Sequence, residues 1–187
     1  MQRRAFLKTA ASAAPALRLS EVFGAEIPDE TAAPAGEIHV VGAGEDRSGH
    51  PHSLGFSTLL FKVAPQDTGG NLFVIEHRNL IRGGPPLHLH WRQEEWFYVM
   101  EGEVAFQVGE RKLTLHAGES VLGPRQIPHT FCAVGSAPAH LLIAFSPAGK
   151  MEAYLGDAAH PPEGVSPADF FRRYEMDYLG PNPFSKG

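Results

Sequence analysis

The chain has 187 residues, 43% of them hydrophobic and 20% charged, enough for one ordinary core and hardly for two. Its formal charge is −5; residues 1–24 carry +3, so the remainder carries −8, and an acidic body without a basic stripe excludes nucleic acid as a partner. The single cysteine, Cys132, excludes an internal disulfide, and Pro15 and Arg18 keep the first apolar run short of the ~20 residues of a spanning helix.

In chain order, the first segment is a leader rather than fold. Gln2-Arg3-Arg4-Ala5-Phe6-Leu7-Lys8, followed by a weakly apolar alanine-rich run, resembles a twin-arginine export signal. That resemblance implies residues 1–24 as a signal peptide cut after Gly24, a periplasmic or otherwise exported protein, and the twin-arginine export machinery as a partner. Such machinery carries folded cargo, so a metal could be loaded before export. Residues 25–36, rich in Ala, Pro and acidic side chains, read as an extended arm or linker.

Short strands then follow in quick succession. The pattern predicts them at 37–41, 58–63, 72–77, 87–90, 95–100, 103–108, 111–115, 120–122, 129–133 and 140–145, separated by turn residues such as Gly69-Gly70-Asn71 and Gly83-Gly84-Pro85. Val104, Phe106 and Val108 alternate with Ala105 and Gln107, giving one core face and one more polar face. Many short strands without interleaved helices make residues 37–150 an all-β sandwich or barrel. Residues 151–187 leave the pattern. Ser166-Pro167-Ala168-Asp169 offers a cap, a proline at the first helical position and an acid three residues on. Phe170, Phe171, Tyr174 and Tyr178 recur at helical spacing, so the predicted short C-terminal helix runs to about Gly180-Pro181 and lays an aromatic stripe on the barrel or a partner subunit.

Chemistry concentrates in His88, His90, Glu95 and His129. In an extended backbone His88 and His90, at i and i+2, share a face, whereas a helix would separate them. Glu95 opens the next apolar run, and His129 returns in Pro128-His129-Thr130-Phe131. Imidazoles with a carboxylate suit one divalent transition metal per chain, iron, manganese, nickel, copper or zinc, rather than calcium or magnesium. Adjacent strand residues face opposite sides, so only one of Glu94 and Glu95 can point with the histidines.

The segment His88-x-His90-(x)4-Glu95-(x)6-Gly102 resembles the first cupin motif, and Gly118-(x)5-Pro124-x-Gln126-(x)2-His129 resembles the second. The chain departs at Arg82 and at Gln126, where the family usually has glycine, and at Ala133, where asparagine is common; no ligand position is lost. The interval to Gly102 favours Glu95 over Glu94. The resemblance covers about residues 55–150 and is closest to small single-domain cupins of the quercetin 2,3-dioxygenase-like group. It implies a double-stranded β-helix, or jelly-roll barrel, with His88, His90, Glu95 and His129 as metal ligands and Glu95 also as a base. The implied function is a metal-dependent dioxygenase of a small aromatic or enol-bearing compound. A metal-dependent isomerase or decarboxylase, or a non-catalytic binding protein, would use the same barrel. The arm and the aromatic stripe, together with the family's habit of exchanging edge strands, lead us to expect a homodimer. His77 falls on a predicted strand and lines the pocket in this reading, whereas His50-Pro51-His52 reads as a surface turn. Cys132 follows His129 by an odd number of positions and should face away from the metal as a small buried thiol.

Overall fold

The computed structural model describes residues 37–184. The predicted leader and arm lie outside the described residues. The strands are β1 (His52–Ser53), β2 (Thr58–Val63), β3 (Phe73–Leu80), β4 (Leu87–His90), β5 (Glu94–Glu101), β6 (Glu103–Val108), β7 (Arg111–His116), β8 (Ser120–Gly123), β9 (His129–Ala133), β10 (Ala139–Ser146) and β11 (Met176–Gly180). Two α-helices, α1 (Met151–Ala158) and α2 (Pro167–Arg173), lie between β10 and β11.

The strands form two antiparallel sheets. One runs β1-β2-β3-β10-β5-β8 and the other β11-β4-β9-β6-β7, so apart from β1-β2-β3 and β6-β7 the neighbours in space are not consecutive in sequence, as a jelly roll requires. Between them lies an aromatic and aliphatic core. Phe73, Phe97, Phe106, Leu59, Ile75, Leu80 and Leu141 are all at most 1% exposed, and each such side chain is worth roughly 1.5–3 kcal/mol of burial. The core faces follow from period-two alternation: on β3, Phe73, Ile75 and His77 are buried while Val74 and Glu76 are only half-buried. Cys132 is a free, buried thiol and joins no cluster of candidate metal donors among the described residues.

Three expectations need correction. Residues 37–41 form no strand: Ile38 and Val40 are each 90% exposed, and no strand pairs with them among the described residues, so β-branched composition was not enough. The C-terminal helix begins as predicted, with Ser166 Oγ accepting from the Asp169 N–H, but ends at Arg173 because Glu175 takes a left-handed φ of 61°. Tyr178 therefore lies on β11, not on the helix. That strand pairs with β4, placing Tyr178 opposite His88 and Met176 opposite His90. Helix α1 is an element the strand-by-strand pattern did not contain.

Two contacts hold the ligand-bearing strands in place. A Cβ built on Gly84 would collide with the Phe131 carbonyl oxygen, so only glycine lets the chain enter β4 this close to β9. Asn182, 6% exposed, donates through Nδ2 to the carbonyls of Pro85 at 2.9 Å and Phe131 at 2.8 Å, tying the tail to both strands. Gly84→Ala should therefore destabilise the protein by on the order of 2–3 kcal/mol, because the obstacle is backbone and cannot rotate away. Gly156→Ala on α1, whose added methyl meets nothing within 4 Å, should instead stabilise by roughly 0.5–1 kcal/mol. Thermal and denaturant unfolding of the two variants check both signs.

Candidate metal centre

His88 and His90 project from β4, Glu95 from β5 and His129 from β9. Strand pairing sets His88 directly against His129, and alternation along β4 brings His90 to the same side two residues on. All four side chains are buried, and one donor atom from each lies within 4.8 Å of the others. His90 Nε2 is 3.0 Å and His129 Nε2 2.9 Å from Glu95 Oε2. Glu94 turns outward, where Arg125 donates to it from its backbone N–H at 2.7 Å and from Nε at 2.5 Å. The competition between the two glutamates is thus decided by strand parity.

Each imidazole is held at its other nitrogen. His88 Nδ1 donates to the Pro86 carbonyl at 2.8 Å and His129 Nδ1 to the Ile127 carbonyl at 2.9 Å, because a carbonyl can only accept. His90 Nδ1 lies 3.2 Å from Gln93 Oε1, and Gln93 Nε2 donates to the Ala148 carbonyl at 3.0 Å, which fixes the amide so that its oxygen faces the ring. All three Nε2 atoms are left for the centre. Outer partners of this kind orient metal-binding histidines and raise their basicity. Sequence reasoning did not single out Gln93; its burial at 2% exposure in a turn between two ligands is the structural reason to do so.

The electrostatics suit a cation. Burial, reinforced by His129 and His90, pushes His88 down to about 3, so it stays neutral and able to donate its lone pair. Burial alone would raise Glu95, yet the hydrogen bonds from His129 and His90 hold it well below the ordinary carboxylate range. His129 is displaced the opposite way: burial opposes its charge, but the bond to Glu95 overcomes this and raises it. Three imidazoles and one carboxylate, oriented by acceptors behind them, fit a divalent transition ion and could hold one. His50 and His52 join no such cluster among the described residues; the His52 ring stacks on Phe61 at 4.2 Å.

Beside the cluster lies a cavity of about 180 Å³. Sheet residues Ile75, Phe131 and Phe145 line one part and α1 residues Met151, Tyr154 and Leu155 another, with His88 and Glu95 at the polar end. Phe131 and Phe145 belong to the core while also walling this space. No Lys or Arg among the described residues lines it. His77, expected to line the pocket, does so, and burial pushes it down to about 4.

Removing the support behind His90 should weaken metal binding without removing a ligand. Gln93→Leu is expected to cost about 10–100-fold in affinity, whereas Glu94→Gln should leave affinity unchanged and Glu95→Gln should lower it most. Competition titration against a chelator distinguishes the three. Because His129 must lose its proton to donate, affinity should fall as pH drops through its raised pKa, with proton release on binding visible by titration calorimetry in buffers of different ionisation enthalpy.

Residues 81–145 match the family model of the cupin domain. No curated protein matches the sequence. Among solved structures, an RmlC-like cupin from Shewanella frigidimarina is similar at 19% identity and a TM-score of 0.52, covering 63% of this chain and 98% of that one. The TT1209 protein of Thermus thermophilus is similar at 27% identity and a TM-score of 0.40, over 42% of this chain and 74% of that one. A predicted oxalate decarboxylase from Thermotoga maritima is similar at 14% identity and a TM-score of 0.46, over 48% of this chain and 79% of that one. With the two antiparallel sheets and the matched segment, which contains all four cluster residues, the fold is the all-β jelly roll of a cupin with short helices on its C-terminal side.

Proposed function

We propose that this chain is a metal-dependent dioxygenase of the quercetinase-like kind, acting on a small aromatic or enol-bearing compound. The observation that carries the reading is a buried three-histidine, one-glutamate cluster opening onto an apolar cavity with no cationic side chain among its described lining residues. A divalent transition ion held by these donors would supply Lewis acidity and open coordination positions for substrate and dioxygen. The remaining work belongs to the chain. Phe131, Phe145, Met151 and Leu155 exclude water and favour a flat apolar body. Glu95 uses Oε2 toward the imidazoles, while Oε1 has no hydrogen-bond partner among the described residues and can accept a proton from the substrate hydroxyl. A carboxylate held so far below its ordinary range is a weak base. It can take a proton only from an acidified hydroxyl, which favours a phenol or enol over an alcohol.

The reading includes export and pairing. The Arg3-Arg4 leader supports a periplasmic location. The exposed apolar residues Trp96 and Leu122, paired across β5 and the edge strand β8, support a homodimer. Size-exclusion chromatography of a periplasmic fraction tests both: the expected result is a chain beginning after Gly24 that elutes at twice its own mass, and retention of the protein in the cytoplasm would contradict export.

The decisive experiment combines elemental analysis with oxygen uptake. Protein purified without chelator or nickel resin should hold about one iron, copper, nickel or manganese per chain, and His88→Ala and His129→Ala should hold little. Turnover of phenols and enols should consume oxygen in step with substrate. Turnover without oxygen uptake would identify an isomerase or decarboxylase instead, and metal binding without any turnover across a broad panel would identify a binding protein.

A further inference from the structure

The cavity wall carries two polar groups that the four-donor cluster does not use. His77, on β3, is 4% exposed. Its ring stacks over Phe56 at 6.4 Å and meets Phe131 edge-on at 5.6 Å. Its Nδ1 lies 2.9 Å from Ser57 Oγ, itself on a buried residue, so the ring cannot turn without breaking that bond. Tyr154, on α1, packs its ring against Phe170, Phe171 and Tyr174 at 5.4–5.7 Å, which holds it in place.

Neither His77 Nε2 nor Tyr154 Oη has a hydrogen-bond partner among the described residues. Neither is sealed off, because the one enclosed side-chain polar atom without a partner among those residues is His52 Nε2. The space they reach is the cavity that both residues line. A ligand that fills the cavity and offers these atoms no partner would leave them buried and unpaired at a cost of about 1–3 kcal/mol, so they mark where a ligand's own polar groups belong.

Size narrows the ligand further. The cavity, at about 180 Å³, is close to the ~150 Å³ of an apolar cavity that takes benzene. One ring with small substituents fills it, and the further rings of a three-ring flavonol would project from its open side. Charge narrows it again: with no Lys or Arg in the described lining, a ligand carboxylate away from the His88 and Glu95 end would be desolvated without a counter-ion.

We propose that His77 and Tyr154 are substrate-binding residues, and that the cavity takes a neutral single-ring hydroxy or oxo compound. One ligand oxygen faces the His88 and Glu95 end, and a second polar substituent is held by His77 Nε2 or Tyr154 Oη. The chemistry at the first oxygen rests on the metal-dependent reading above, but the anchoring does not. The two are therefore separable by experiment.

The test uses the full chain freed of metal by chelation, with 4-hydroxyacetophenone, toluene and quercetin as probes in titration calorimetry. Expected is binding of 4-hydroxyacetophenone that weakens at least fivefold in His77→Phe, in Tyr154→Phe or in both, while toluene binding stays within twofold of wild type and quercetin binds at least tenfold more weakly. Unchanged affinity for 4-hydroxyacetophenone in both variants, or no binding by wild type, overturns the anchors. Quercetin binding as tightly as the single-ring probe overturns the size limit. Tyr154→Phe removes one oxygen and keeps the ring, so it decides the matter should His77→Phe not fold. Metal content of the protein before chelation provides the separate readout: a wild-type chain that retains no ion yet shows the expected probe pattern would end the dioxygenase reading and leave the anchors standing.

Discussion

The approach of two imidazole nitrogens to one carboxylate oxygen, His90 and His129 to Glu95, is the constraint on which the rest of the structure turns. Taking a carboxylate out of water costs several kcal/mol unless opposite charge and hydrogen bonds compensate it. Here Glu95 is 4% exposed, and His88 adds a third ring 4.7 Å from that of His129. A hydrophobic core of the same volume would be easier to fold. The fold nevertheless gives each imidazole an acceptor at Nδ1, two of them backbone carbonyls whose positions are set by the chain path itself. That arrangement makes the cluster a property of the barrel and not of three independent side chains.

The same geometry explains what was readable in the sequence. Period-two alternation is rigid, so His88 and His90 could be assigned to one face and only one of Glu94 and Glu95 could join them, while the motif interval to Gly102 favoured Glu95. Motif spacing brought in His129, although the closeness of β4 to β9 depends on Gly84, whose reason is the carbonyl of Phe131 on a strand far along the chain. Gln126 is similar: it occupies a position where glycine is usual in the resembling family, and it does take a left-handed φ of 63°. Its backbone N–H donates to the His90 carbonyl at 2.7 Å, a long-range bond that holds the strained residue in place.

What was illegible shares one physical cause. Helix α1 has two buried residues, Met151 and Leu155, in eight, too short a repeat to stand out from the sequence, and its inner face is fixed by the cavity it walls. The aromatic spacing of Phe170, Phe171, Tyr174 and Tyr178 is compatible with one helix, but β4 offered an unpaired edge and the chain left the helix at Glu175 to fill it. Gln93 and Asn182 are polar residues in turns by sequence and buried connectors in the fold. In each case tertiary partners, not local preference, determine the outcome.

The pairing of β11 with β4 also sets an order of events during synthesis. Strand β4 carries two of the four donors, and its flanks are completed only by residues 129–133 on one side and 176–180 on the other, with Asn182 closing the seam. A ribosome that has released the chain only as far as β10 has supplied every donor atom but not the wall that steadies half of them. The centre is therefore completed only once β11 has paired with β4, and a nascent chain stalled before that seam would present its histidines on a strand with one bare edge.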